Sequence, residues 1–238
     1  MVTAHWISPK SESSTSPTIV ISNVDKSQPL YYDYGGFPPE TYKYQHNAPG
    51  NPEVAQRVSS LLNDGGITTT FDSQRGWDHG VFVPGMLLDP QAEIPIVAIS
   101  LDSGMNAAQH IKIGELLRPL RDEGVLIIGS GSSYHNFNTF FAPKGSEARK
   151  KGVEESIVFD DWLQETCCED YEKSRAILSN WRGTAPGSYD AHPAGGEEHF
   201  VPLFVAFGAG GSKGKIVGGV GEEGEMAGDI LMSNVEFS

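Results

Sequence analysis

The chain has 238 residues, of which 38% are hydrophobic and 10% aromatic, enough for one large domain with its own core and too apolar for wholesale disorder. Lys and Arg number 17 against 31 Asp and Glu, so the net charge is −14, which argues against nucleic acid or an anionic membrane as a partner. No apolar run reaches the roughly 18 residues of a membrane helix and no charged-then-apolar leader is visible, so neither a transmembrane segment nor a signal peptide is expected. The two cysteines, Cys167 and Cys168, are adjacent, which suits neither a disulfide framework nor a Cys-rich zinc site; a reduced, cytoplasmic setting is expected.

In chain order, "TIVISNV" (18–24) reads as a strand, and "YYDYGGFPPETYKYQHNAPGNP" (31–52) as a long aromatic loop of the kind that carries function. "NPEVAQRVSSLLNDGG" (51–66) has an Asn cap, Pro at the first helical position, apolar residues at helical period and a Gly stop. "ITTTFD" is a strand candidate and "VFVPGMLLDP" a short helix. "IPIVAISLD" (94–102) reads as a continuous apolar strand, as in a sheet covered on both faces. "NAAQHIKIGELLRPLRDEG" (106–124) is an amphipathic helix, and "VLIIGSGSS" (125–133) another buried strand running into a Gly/Ser turn. Residues 153–181 read as a helix pair or one interrupted helix, and "EEHFVPLFVAFGAGG" (197–211) as a helix with a capped end. "KIVGGV" and "DILMSNVEFS" are closing strands, and "SPKSESSTSP" (8–17) a polar surface loop. Alternating strand and helix signals predict one α/β domain over residues 1–238, with a mixed central sheet flanked by helices.

The seven histidines are His5, His46, His79, His110, His135, His192 and His199. His110, inside an amphipathic helix, is expected to be partly exposed, and His46 to lie at the surface or a substrate rim. His5 precedes Trp6, His79 follows Asp78 at a strand-to-helix turn, His135 ends a strand and turn, and His192 and His199 flank "HPAGGEEH". Ligands collect at the carboxyl ends of strands in open α/β sheets, so His5, His79 and His135 can converge from three strand ends. Taken one at a time, each reads more often as a structural imidazole. Together they point to a metal or acid/base site, because neutral imidazole is a good donor for Fe, Zn, Ni or Cu. Other motifs are weak. "GVGEEG" (219–224) has dinucleotide spacing without a βαβ unit, "GSGSS" lacks the nucleophile-elbow pattern, and "CC" reads as a buried pair on one helix without redox work.

Five separated stretches carry a resemblance. "AHW" (4–6), "YDYGGFPPETYKYQHNAPGNPEVAQRV" (32–58), "GWDHGVFVPGMLLDPQAEIPIVAISLD" (76–102), "LRDEGVLIIGSGSSYHNF" (120–137) and "EEHFVPLFVAFGAG" (197–210) together resemble the class III extradiol ring-cleavage dioxygenases of the LigB superfamily, in the 4,5-DOPA dioxygenase-like branch. The resemblance implies a non-haem Fe(II), replaced by Zn(II) in some members, and a catechol and O2 as substrates. It makes His5 of "AHW" and His199 of "EEHF" metal ligands. His135 of "YHNF" matches the acid/base histidine and lies near enough to touch the metal, while His79 of "WDHG" faces the substrate as second choice for proton transfer. Tyr31, Tyr32, Tyr34 and Phe37 are candidates for the pocket wall, or for simple packing. The family's remaining ligand sits in an "HG" turn after an earlier strand, and this sequence has no such turn, so the first βα unit is expected to be missing with its ligand. Poor metal binding, aggregation and low activity are then expected of the 238-residue chain, with recovery when the upstream segment is supplied. The competing readings are a non-catalytic binding protein on the same fold and, less favoured, a metal-dependent hydrolase.

Overall fold

A strand needs a ladder partner and a helix needs a face to bury, and in this computed structural model, which describes residues 1–10, 17–220 and 228–238, the chain meets both needs within two compact units. The first comprises Met1–Met105 with Pro119–Ser130, the second Asn106–Arg118 with Gly131–Ser238. The polar stretch expected at 8–17 and the "GVGEEG" stretch lie largely outside the described residues. Among the described residues no helix is long and apolar enough to cross a membrane.

In the first unit, β1 (Val2–Ile7), β2 (Thr18–Ser22), β3 (Thr68–Asp72), β4 (Ile99–Leu101) and β5 (Gly129–Ser130) form one sheet in the order β3-β2-β4-β1-β5. Pairing is parallel except between β2 and β4, which gives the mixed α/β sheet expected. Helix α1 (Pro52–Asp64) starts as predicted, with the Asn51 side chain accepting the Val54 N–H at 3.1 Å, and packs on β2 and β3 through a face carrying Ala55, Val58 and Leu62. Helix α2 (His79–Leu88) lies against β1. Trp6, Val20, Val24, Ala48, Trp77, Val81, Phe82, Ile96 and Ala98 form a buried cluster. Burying the valine, isoleucine and phenylalanine side chains of this cluster contributes about 1.5–3 kcal/mol each.

The second unit is mostly helical: α3 (Ala107–Leu117), α4 (Phe137–Phe140), α5 (Glu147–Cys167), α6 (Tyr171–Ser179), α7 (Trp181–Thr184), α8 (Ser188–Ala191) and α9 (Val201–Gly210), followed by the hairpin of β6 (Gly214–Val220) and β7 (Met232–Phe237). Residues 153–181 thus resolve as a helix pair, broken where Asp170 caps α6. Helices α3 and α9 lie backbone to backbone at Gly114 and Gly208, and the Arg118 guanidinium donates to the Gly208 carbonyl at 2.9 Å.

Five expectations need correction. The two cysteines are not both buried: Cys167 closes α5 in the interior, whereas Cys168, just past the helix end, is exposed. The apolar run 94–102 enters the sheet only at Ile99–Leu101, because Pro95 has no N–H for a ladder and Ile94 is exposed. The run 125–133 is not a buried strand: β5 is two residues long at the sheet edge, paired to β1 alone, and Leu126 is 75% exposed. His110 is fully buried in α3, where it meets the Asn106 carbonyl through Nδ1 at 2.8 Å, because α3 turns that side into its contact with other helices. His46 is buried as well. Its ring fills the space above Gly85, where a Cβ would come within 2.6 Å of Nε2.

Candidate functional site

His5 owes its orientation to an irregular strand. From Val2 to Ile7, β1 advances five residues while its β4 partner advances two, from Ile99 to Leu101. The surplus bulges, and a bulge re-aims side chains and frees backbone groups that need other partners. Thr3 Oγ1 accepts the His5 N–H at 3.2 Å and donates to Asp78 Oδ1 at 2.8 Å. Arg75 Nη2 donates to the His5 carbonyl at 3.0 Å and to Asp78 Oδ2 at 3.1 Å. The buried Asp78 carboxylate therefore ties the bulge to the start of α2 instead of capping that helix. Gly80 completes the fit, since a Cβ there would lie 2.5 Å from Thr3 Oγ1 and 3.2 Å from the His5 ring.

The cap that Asp78 does not supply comes from Asp33, whose Oδ1 accepts the backbone N–H of His79 at 3.0 Å. The same oxygen lies 2.8 Å from His79 Nδ1, and Oδ2 lies 3.1 Å from His5 Nδ1. The two rings sit with centroids 3.9 Å apart, tilted by 51°. Asp33 is presented by the aromatic loop. Tyr32 and Tyr34 pack edge-on at 6.1 Å, both pack on Phe82, and their hydroxyls donate to the carbonyls of Tyr44 and Thr41 at 2.7 Å. Tyr34 also meets the His79 ring edge-on at 5.4 Å, whereas Tyr31 is half exposed beneath the Arg75 guanidinium. Burial alone would raise the Asp33 pKa; the bonds from His5 and His79 outweigh it and hold the carboxyl far below the usual range.

The second cluster lies in the helical unit. The rings of His135 and His199 stack, with centroids 3.5 Å apart and an 11° angle, and Glu198 Oε1 is 4.0 Å from His199 Nε2. Backbone contacts set this pair. The His135 N–H donates to the Ala191 carbonyl at 2.9 Å, and the Ser132 N–H to the His199 carbonyl at 2.8 Å. Gly131 allows that approach, because a Cβ there would fall 2.1 Å from the His199 oxygen. His192 Nε2 lies 2.8 Å from the Ser133 carbonyl, which can only accept, so Nε2 carries the proton. Fully buried beside Phe159, Trp181 and Phe200, His192 has its pKa pulled down by desolvation to about 4. Arg182 donates to the carbonyls of Ser188 and His192 and to the Glu197 carboxylate, each within 2.7 Å. Phe137 packs edge-on to His135 at 4.6 Å and is 55% exposed.

Of the residues singled out from sequence, the structure pairs His5 with His79 and His135 with His199. His46, His110 and His192 are buried away as packing or scaffolding groups. Asp33 and Glu198 are the carboxylates that sequence reasoning did not single out; Asp33 lies 28 residues from His5 and 46 from His79, and its one signal was its place in an aromatic loop. In each cluster two imidazoles and one carboxylate offer ligand atoms within 4.8 Å of one another. That donor set suits Fe(II) or Zn(II) better than Mg(II) or Ca(II).

The profile of the LigB family, described as the catalytic LigB subunit of aromatic ring-opening dioxygenase, matches residues 1–225. A 4,5-DOPA dioxygenase extradiol of Beta vulgaris is 37% identical over 218 residues, which cover 90% of this chain and 74% of that protein. The dioxygenase tasH of Hapsidospora irregularis is 36% identical over 221 residues, covering 91% of this chain and 65% of its own length. A solved structure of an uncharacterized protein from Escherichia coli K12 superposes with a TM-score of 0.73 at 26% identity, covering 98% of this chain and 83% of that one.

Proposed function

The chain belongs to the LigB family of aromatic ring-opening dioxygenases, and from that premise we propose that it opens the ring of a catechol, a DOPA-like aromatic diol, with O2. Residues 1–238 act as its catalytic domain. By motif match His5 and His199 would hold the metal, Fe(II) or Zn(II), and His135 is the acid/base histidine and a further candidate ligand. When bound, the metal supplies a Lewis-acid docking point for the catechol oxygens and, as Fe(II), the redox partner that O2 needs.

The remaining work falls to the chain's own side chains. His135 takes the proton of a catechol hydroxyl and returns it as the ring opens beside that carbon to give a muconic semialdehyde. An imidazole suits both steps because it titrates near neutrality. His79 hydrogen-bonds the substrate through the nitrogen that Asp33 does not engage, and Tyr34, edge-on to His79, stands as pocket wall. A cytoplasmic setting, expected from the two adjacent cysteines of the sequence, is part of the same proposal.

One observation carries this reading. The four histidines of the matching motifs fall into two tight pairs, each with a carboxylate, while the three other histidines are buried elsewhere. The test is anaerobic loading with Fe(II), a metal count, and oxygen-electrode recording on addition of catechol. Oxygen uptake with a new visible chromophore is expected. A protein that retains its iron, binds catechol and consumes no oxygen would be the non-catalytic binder instead.

A further inference from the structure

One short segment, residues 188–199, serves both members of the stacked histidine pair. It is fastened to the stretch that carries His135 at consecutive points. His192 Nε2 donates to the Ser133 carbonyl at 2.8 Å, the His135 N–H to the Ala191 carbonyl at 2.9 Å, and the Asn136 amide to the Asp190 carbonyl at 2.7 Å. At its other end the segment leads through Glu197 and His199 into α9, with the Glu197 carbonyl accepting the Phe200 N–H at 2.9 Å. Arg182 spans the whole of it. Nη1 donates to the carbonyls of Ser188 and His192 at 2.6 and 2.5 Å, and Nη2 to Glu197 Oε1 at 2.7 Å. We propose that Arg182 is a positioning residue that holds this segment as one frame and so sets His135 and His199 against each other. The role rests on the dioxygenase reading above and adds to it a group that no motif singled out.

A planar fork suits these acceptors and an ammonium does not. A guanidinium presents its donors along a fixed plane, so it can reach two carbonyls on one side and a carboxylate on the other, whereas an ammonium donates from a single point. The plane is itself seated: Cζ lies 4.1 Å from the centroid of the Trp181 ring and 4.5 Å from that of Tyr189. Trp181 is buried against His192, Phe200 and Phe204, which anchors the slot in the core of the helical unit. Charge-assisted bonds of this kind are among the stronger hydrogen bonds, so the fork can hold a segment whose one helix, α8, is a single turn. A misplacement of about 1 Å at a reacting group costs about 10²-fold in rate. Releasing the fork should therefore misplace both imidazoles without removing either.

The test removes the fork and then gives it back. Arg182→Ala leaves a guanidinium-sized slot beside Trp181 and Tyr189, which free guanidinium ion at millimolar, non-denaturing concentration can refill. Amide hydrogen exchange of the metal-free protein reads the frame, and catechol turnover by the Fe(II)-loaded protein reads the consequence. Exchange at the His135 N–H is expected to speed up by about 10–100-fold, the range for losing a charge-assisted hydrogen bond. Turnover is expected to fall by about 10²-fold with KM little changed. Guanidinium should restore both readouts and ammonium neither. Arg182→Lys, which keeps the charge and the stem, should fold and show the same two defects, and it decides the matter if Arg182→Ala does not fold. Protection at His135 equal to the parent's in either variant would overturn the proposal. So would recovery with ammonium as full as with guanidinium, since charge alone would then suffice, or a folded Arg182→Ala that guanidinium does not restore. If the wild-type protein turns over no catechol, the dioxygenase reading fails, and exchange at His135 still decides the positioning role.

Discussion

The two histidine pairs are built by opposite means. His5 and His79 are tilted by 51° and held by side chains, with one shared carboxylate on their Nδ1 atoms and a Thr3–Asp78–Arg75 network under the bulge. His135 and His199 are stacked within 11° and held through their backbones, by the Ala191 carbonyl, the Ser132 N–H and the close approach of Gly131. Their supporting groups are a buried neutral imidazole, His192, and the fork of Arg182. The first pair should therefore answer to changes of charge and hydrogen-bonding type, and the second to changes of backbone fit.

The largest effect is expected at the second pair. His135→Ala should lower catechol turnover by about 10²–10⁴-fold, the range for losing a general acid/base. Iron content should fall far less. Metal lost in step with activity would make His135 a ligand first, and the division of roles within the pair would go.

Next comes His192, whose contribution carries a pH signature. With an ordinary pKa of 6.5 when unfolded and about 4 when folded, it is neutral in both states above about pH 6.5. As the pH falls toward 4 the unfolded chain takes up a proton that the folded chain refuses, so stability is lost across that window, by about 3 kcal/mol in total. His192→Asn keeps a donor for the Ser133 carbonyl but cannot titrate there. Urea midpoints measured across that window should show a slope in the wild-type protein that flattens in the variant. An equal slope in both would mean that His192 is not the group that carries it.

A smaller effect tests the backbone claim directly. Gly131→Ala places a methyl against the His199 carbonyl, where no flexible side chain can give way, and should cost roughly 1–3 kcal/mol of stability. The same substitution should spread the His135–His199 stack and leave the His5–His79 pair as it was. A variant as stable as the parent would show that the approach of residues 131 and 199 is looser than drawn.

Much of this arrangement was legible in the sequence, and what was not has physical causes. The cap and period of α1, the Gly-stopped α9 and the four motif histidines depend on near neighbours in the chain, so local pattern exposes them. Asp33 depends on partners far along the chain, and a lone aspartate between tyrosines has no local sign of that. The apolar runs ahead of β4 and β5 have the composition of strands but not their ladders, which Pro95 interrupts in one case and an edge position leaves one-sided in the other. His110 and His46 were placed too near solvent because amphipathic spacing and loop position do not report what packs against them.

The account's central claim is that this protein inserts both atoms of O2 into an aromatic diol. Turnover of catechol under 18O2 by the Fe(II)-loaded protein, followed by mass spectrometry of the product, tests it most directly. The predicted result is a ring-opened semialdehyde carrying two labelled oxygens. A product without label, or an intact ring oxidised to a quinone while oxygen is reduced, would contradict it.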